Sequence, residues 1–108
     1  MASSSDYVQQ AHEDIEDAFR SAAQREFDSA AGSVTRATMS IAKALSVGAD
    51  IKTVMPLLKA GGNLMSHISL VAAAGVRVDY HVAEAAKFAE RGLQEIVGGG
   101  LKSNPRRR

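Results

Sequence analysis

The stretch DYVQQAHEDIEDAFRSAAQREFDSAA, Asp6 to Ala31, carries the clearest helical pattern in the chain. Within it Val8, Ala11, Ile15, Ala18, Phe19, Ala22, Ala23, Phe27 and Ala30 recur at spacings of three and four, with acids and glutamines between them. Because an α-helix closes a turn in about 3.6 residues, this spacing gathers the apolar side chains into one stripe and predicts a long amphipathic helix over 6–31. Ser5 or Asp6 is the expected N-cap. Glu13, Asp14, Glu16 and Asp17 lie toward the N-terminal half, where the helix dipole favours acids, and Gly32 is a natural stop.

The same period continues downstream. Val34, Ala37, Ile41 and Leu45 mark a second helix from Ser33 to about Val47, ending before Gly48, unless Gly32 is only a kink in one long rod. Asp50 is expected to cap a short helix through Ala60, redirected by Pro56 and ended by Gly61 and Gly62. Asn63 would cap a further segment, Leu64 to Ala74, and Gly75 would break it. A last helix runs from a cap at Asp79 to about Val97, with Val82, Ala85, Ala86, Phe88, Ala89, Leu93 and Ile96 on one stripe and Gly98, Gly99 and Gly100 after it. The expected fold is all-α: a small antiparallel bundle of four to five helices, with a flexible N-terminus at 1–5, one helical domain at 6–97, and a glycine-rich stop and flexible basic tail at 98–108.

Composition agrees with helices and limits the chemistry. Among 108 residues there are 19 alanines, the residue that most favours helix, and only 5% are aromatic, so the core is built from small side chains and is thin. Association with other chains would supply the burial that alanine does not. Having no cysteine, the chain has no disulfide framework, no thiolate metal site and no cysteine nucleophile. No secretory signal follows Met1, and the longest apolar run, Leu70 to Val76, is far short of the roughly 18 residues of a membrane span, so a cytoplasmic or intracellular place is expected and no membrane partner.

The net charge of +1 is a cancellation. Residues 1–31 hold seven acids and two bases, whereas residues 32–108 hold eleven bases and five acids. Lys102, Arg106, Arg107 and Arg108 crowd the end of the chain. Flexible basic arms of this kind neutralise phosphates without reading sequence, or meet an acidic partner.

No constellation of enzyme chemistry accompanies these charges. His12 and Glu16 share a helix face, but a zincin helix needs a second histidine where Glu16 stands. Di-iron bundles need Glu-x-x-His twice, and the chain offers only the reverse order, His81 to Glu84. Gly98 to Ser103 lacks the glycine directly before Lys102 that a phosphate loop requires. Ser29, Ser40, Ser66 and Ser69 have no local base, and Tyr7, Tyr80, His67 and His81 read as boundary residues of apolar faces. No cofactor, metal or small-molecule substrate is inferred.

Residues 40–59 match part of a helix-turn-helix spacing, with Ala44, Gly48 and Val54 at the small, turn and apolar positions. Pro56 then falls inside the would-be recognition helix, whose cations are only Lys52 and Lys59. Two readings follow. The first is a non-enzymatic assembly protein that associates with itself or scaffolds other proteins, its acidic face at Glu13, Asp14, Glu16 and Asp17 meeting a basic surface of a neighbour, an economy shared with small virion and phage structural proteins. Such a contact is head-to-tail, and salt would weaken it. The second is a nucleic-acid-binding protein that places the tail, Lys52 and Lys59 on DNA or RNA phosphates.

Overall fold

The computed structural model describes residues 3–74 and 79–98. They form four helices, α1 (Ser4–Ala23), α2 (Phe27–Ser46), α3 (Ile51–Ala74) and α4 (Asp79–Val97), with no strand among the described residues. The expected bundle is therefore present with four members. The boundaries differ from the sequence reading in three places, each for a physical reason.

α1 starts earlier and stops earlier than expected. Its cap is Ser3, not Ser5 or Asp6: the Ser3 hydroxyl accepts from the Asp6 N–H at 3.3 Å while the Ser3 N–H donates to the Asp6 carboxylate at 3.1 Å. Part of the segment expected to be flexible, 1–5, is thus already helix. At the other end the chain turns at Gln24 to Glu26, not at Gly32. The Arg25 N–H donates to the Ala22 carbonyl and the Glu26 N–H to the Ser21 carbonyl, both at 2.9 Å, with Arg25 left-handed at φ 65°. This is a Schellman closure with arginine where glycine is usual.

Burial explains the choice. A continuous rod over 6–46 would leave its apolar stripe without a partner, whereas a reversal after Ala23 folds Val8, Ala11, Ile15, Ala18 and Ala22 against Ala30, Val34, Ala37, Ile41 and Ala44. All ten are buried, and they alternate at spacings of three and four on both helices. Alanine at every second or third step keeps the helix surfaces flat, so the two backbones can lie close, and α1–α2 is the most extensive contact in the molecule. The burial outweighs about 1–2 kcal/mol for a non-glycine residue in the left-handed region.

α2 then runs through Gly32 without interruption and ends as expected at Gly48. There the Gly48 N–H donates to the Leu45 carbonyl at 3.2 Å and the Ala49 N–H to the Ala44 carbonyl at 2.9 Å, and Gly48 has φ 105°. Asp50 caps α3 as expected, its carboxylate accepting from the Lys52 N–H at 3.0 Å.

The break expected at Gly61 and Gly62 does not occur: α3 is one helix through Ala74, and Asn63 is an interior residue instead of a cap. Val54, Leu57, Ala60 and Leu64 form one buried stripe across the glycines, and tertiary packing of that stripe overrides the local preference. Gly61 has a different use. A Cβ there would stand 3.3 Å from both Ile15 Cδ1 and Val34 Cγ1, so the missing side chain lets α3 lie close across the α1–α2 pair. Pro56 sits in the sixth position of α3, where its lack of an N–H leaves the Lys52 carbonyl without its partner one turn on. α4 spans the helix expected from Asp79 to about Val97 within the tolerance of helix ends. The break at Gly75 and the tail from Gly99 onward lie outside the described residues.

α4 closes the bundle against α1 by a second glycine contact. A Cβ on Gly92 would overlap Phe19 Cε1, so the Phe19 ring is seated directly on the α4 backbone. Phe88, one turn earlier, lies with its ring centroid 6.0 Å from that of Phe19 and stacks on His67 of α3 at 3.9 Å with a 10° interplanar angle.

Candidate interaction surface

The four acids expected to share one outward face divide among three environments. Asp14 is buried and points toward α2, where Arg36 Nε lies 3.8 Å from its carboxylate and an Arg36 terminal nitrogen donates to the buried Ser33 hydroxyl at 2.9 Å. Glu16 and Asp17 both pair with Arg20, at 3.6 and 3.3 Å. Glu13 accepts from the Gln9 side chain at 3.2 Å. Local partners on α1 and α2 thus take up much of this charge. The recess between these two helices, about 570 Å³, carries acids and bases in balance: Asp17 and Asp28 with Arg20 and Arg36.

Lys52 and Lys59 stand on α3 and are exposed. They line an open cleft of about 670 Å³ between α3 and α4. Its apolar lining comes from Met55, Pro56 and Ala60 on α3, Phe88 and Gly92 on α4, and Phe19 of α1 between them. Arg91 adds a third cation from α4 and Glu95 a single carboxylate. Among the described residues, no carboxylate pairs with Lys52, Lys59 or Arg91 within 4.0 Å, the ion pairs being those of Arg20 and Arg36.

The cleft follows from helix geometry. Lys52, Met55, Pro56, Lys59 and Asn63 recur at the steps of one helix face, and Phe88, Arg91, Gly92 and Glu95 do the same on α4. These two faces mix cations with apolar groups and so do not stand out as apolar stripes. The sequence reading therefore found Lys52 and Lys59 but missed Met55, Phe88, Arg91 and Glu95. The spacing puts each set on one face of its own helix, but only the packing of α4 opposite α3 joins the two faces into a cleft.

Other candidates sit as follows. Tyr7 is half-buried, with Lys43 Nζ 6.0 Å from its ring centroid, which ties the start of α1 to the end of α2. His67 is held in the stack on Phe88. His12 Nε2 is buried without a hydrogen-bond partner among the described residues. No group of three metal-ligating side chains forms among the described residues. Lys102, Arg106, Arg107, Arg108 and the side chains of Tyr80 and His81 lie outside the described part.

At the α2–α3 turn a different surface appears. Leu45, Val47 and Ile51 are 36%, 52% and 46% exposed within seven residues of chain. The helix-turn-helix spacing has its turn here, with Ala44 and Val54 buried on either side of Gly48. The first two turns of α3, where a recognition helix would place base-reading groups, expose Ile51, Lys52, Thr53 and Met55. Of these only Lys52 and Thr53 can donate to a base edge, and no arginine, asparagine or glutamine is exposed beside them.

No helix among the described residues is long and apolar enough to cross a membrane. Comparisons with protein-family models, curated proteins and solved structures find no match.

Proposed function

We propose that this chain is a non-catalytic assembly protein that associates with itself through the α2–α3 turn and presents a second surface to a partner protein. The observation that carries this reading is the cluster of Leu45, Val47 and Ile51 left exposed. The core beside it is built largely of alanine: half of the buried apolar side chains among the described residues are Ala. Single exposed apolar residues are ordinary on a surface, but three large ones within seven residues at one turn, beside so small-residued a core, support an interaction site there.

Burial of this patch against the same patch of a second copy is isologous and closes as a dimer. That contact is apolar, unlike the head-to-tail charge pairing expected from the sequence, because Asp14 is buried and Glu16 and Asp17 already pair with Arg20. Association is therefore expected to persist as salt is raised.

Sedimentation equilibrium over a range of protein and salt concentrations tests this. The expected result is a mass rising toward twice 11.4 kDa with protein concentration, with little change on adding salt. The surface variant Val47→Lys with Ile51→Asp should stay monomeric. Both changes suit the ends of the helices they occupy, a base at the end of α2 and an acid at the start of α3, so loss of association would not come from loss of fold. A wild-type monomer at every concentration contradicts the proposal.

The nucleic-acid reading is favoured by one observation, the placement of Lys52, Lys59 and Arg91 around one cleft. It predicts duplex binding that weakens with salt and a shallower salt slope after removal of residues 102–108. Binding to duplex DNA with an unchanged slope in the shortened chain would count against the tail's part in it.

A further inference from the structure

The cleft between α3 and α4 joins an apolar floor to cations that the described residues leave without carboxylate partners. Lys52 and Lys59 are seven residues apart on α3, about 10 Å along the helix axis, and Arg91 stands on the opposite wall. From Lys52 to Asn63 the α3 wall extends about 16 Å, three helical turns. The α3 wall of the trough is thus positive along its length and the α4 wall carries Arg91 with Glu95 one turn on, leaving a net positive rim around Met55, Pro56 and Phe88.

That distribution selects among occupants. A compact anionic head group would use one end of the trough and leave the other cations unmet. A nucleic-acid backbone would meet the cations but leave Met55 and Phe88 without a complementary surface. The chain's own C-terminal residues, Lys102 and Arg106 to Arg108, carry the same sign as the rim. In a second copy, the apolar stripe of the acidic helix, Val8, Ala11, Ile15, Ala18 and Ala22, is already buried in its own bundle. An amphipathic helix with large apolar residues on one face and acids flanking them satisfies floor and rim together.

The geometry points to this cleft as the docking groove for an acidic amphipathic helix of a partner protein. Its floor takes the partner's apolar anchors, and Lys52, Lys59 and Arg91 face the flanking carboxylates. The inference rests on the reading of the chain as an interaction protein and adds the chemistry of the partner. Apolar anchors in the trough supply most of the affinity, and the rim charges set which partner enters and how fast.

The test is fluorescence anisotropy on the full-length protein. The probe is a labelled helical peptide of about five turns, with leucines at steps of three and four on one face and glutamates beside them. Two control peptides are needed, one with the glutamates changed to lysines and one of the same composition in scrambled order. The expected result is saturable binding of the acidic amphipathic peptide alone. Lys59→Glu with Arg91→Glu should weaken it at least about tenfold and admit the basic peptide instead, and Met55→Asp should weaken it comparably. All three positions are exposed, and circular dichroism of each variant checks that the helices persist. Val47→Lys with Ile51→Asp should leave peptide binding intact, so the groove and the self-association surface fail or stand separately. The inference is overturned by equal binding of the scrambled peptide, by absence of binding, or by binding that the cleft variants do not change.

Discussion

The α1–α2 hairpin and the α3–α4 half solve the same problem with different materials. In the hairpin, alanines alternate with Ile15, Val34 and Ile41 and the two helices meet along their length, with Asp14 and Arg36 facing each other across the seam. In the other half, contact between α3 and α4 is much less extensive. It depends on the His67–Phe88 stack, and Gly61 and Gly92 bring each helix against the hairpin. The hairpin closes on itself, whereas the helices resting on it leave a trough between them. A surface available to a partner thus comes from helices held mainly by a third element.

Substitutions test this contrast. The largest effect is expected at Ile15, which is fully buried at the centre of the hairpin and touches the α3 crossing: Ile15→Ala should lower the unfolding free energy by about 2–5 kcal/mol, read from the urea midpoint. Met55→Ala, in the open wall of the cleft, should stay within about 0.5 kcal/mol of wild type by the same measurement. Equal losses at the two positions would erase the distinction between closed seam and open trough.

Next comes Gly92→Ala. Its Cβ would enter the Phe19 ring, and displacing that ring should cost about 1–3 kcal/mol and change the cleft floor. Thermal unfolding measures the first, and peptide affinity in the anisotropy assay the second. An unaffected variant would mean that Phe19 is free to move away.

The two Schellman closures allow a matched pair of smaller tests. Gly48→Ala forces an L side chain into φ 105° and should destabilise by about 1–2 kcal/mol. Arg25→Gly relieves the left-handed arginine at the hairpin turn and should stabilise by up to about 1 kcal/mol. Opposite signs in chemical denaturation are the expected outcome. Destabilisation by Arg25→Gly would show that the arginine side chain contributes more than its backbone strain costs.

The smallest effects contrast neighbours. Gly62 is exposed with open space around its missing Cβ, so Gly62→Ala should gain about 0.5–1 kcal/mol from helix propensity. Gly61→Ala gains the same propensity but presses on Ile15 and Val34, so its midpoint should fall below that of Gly62→Ala.

What was legible in the sequence follows from these same residues. The all-helical class, the stop at Gly48 and the Asp50 cap depend on local backbone chemistry, and all three are found in the structure. Local rules misread glycines that tertiary packing holds inside helices. Gly32 and Gly61 read as stops, yet both lie inside helices, and Gly61 is needed for the approach of α3 to the hairpin. The turn at Gln24 to Glu26 was missed because nothing local demands it: it exists so that two alanine-rich stripes can face each other. Lys52 and Lys59 could be named from their charge, but a cleft is a relation between two helices. Arg91 and Phe88 enter it only once α4 is placed opposite α3.

Whether copies of this chain meet through the α2–α3 turn can be read residue by residue from the amide resonances of isotope-labelled protein as it is diluted. Concentration-dependent shifts should gather at Leu45, Val47, Ile51 and their neighbours, and be absent in the Val47→Lys, Ile51→Asp variant. Shifts centred on the exposed acids of α1, or a spectrum unchanged by dilution, would contradict association through this turn.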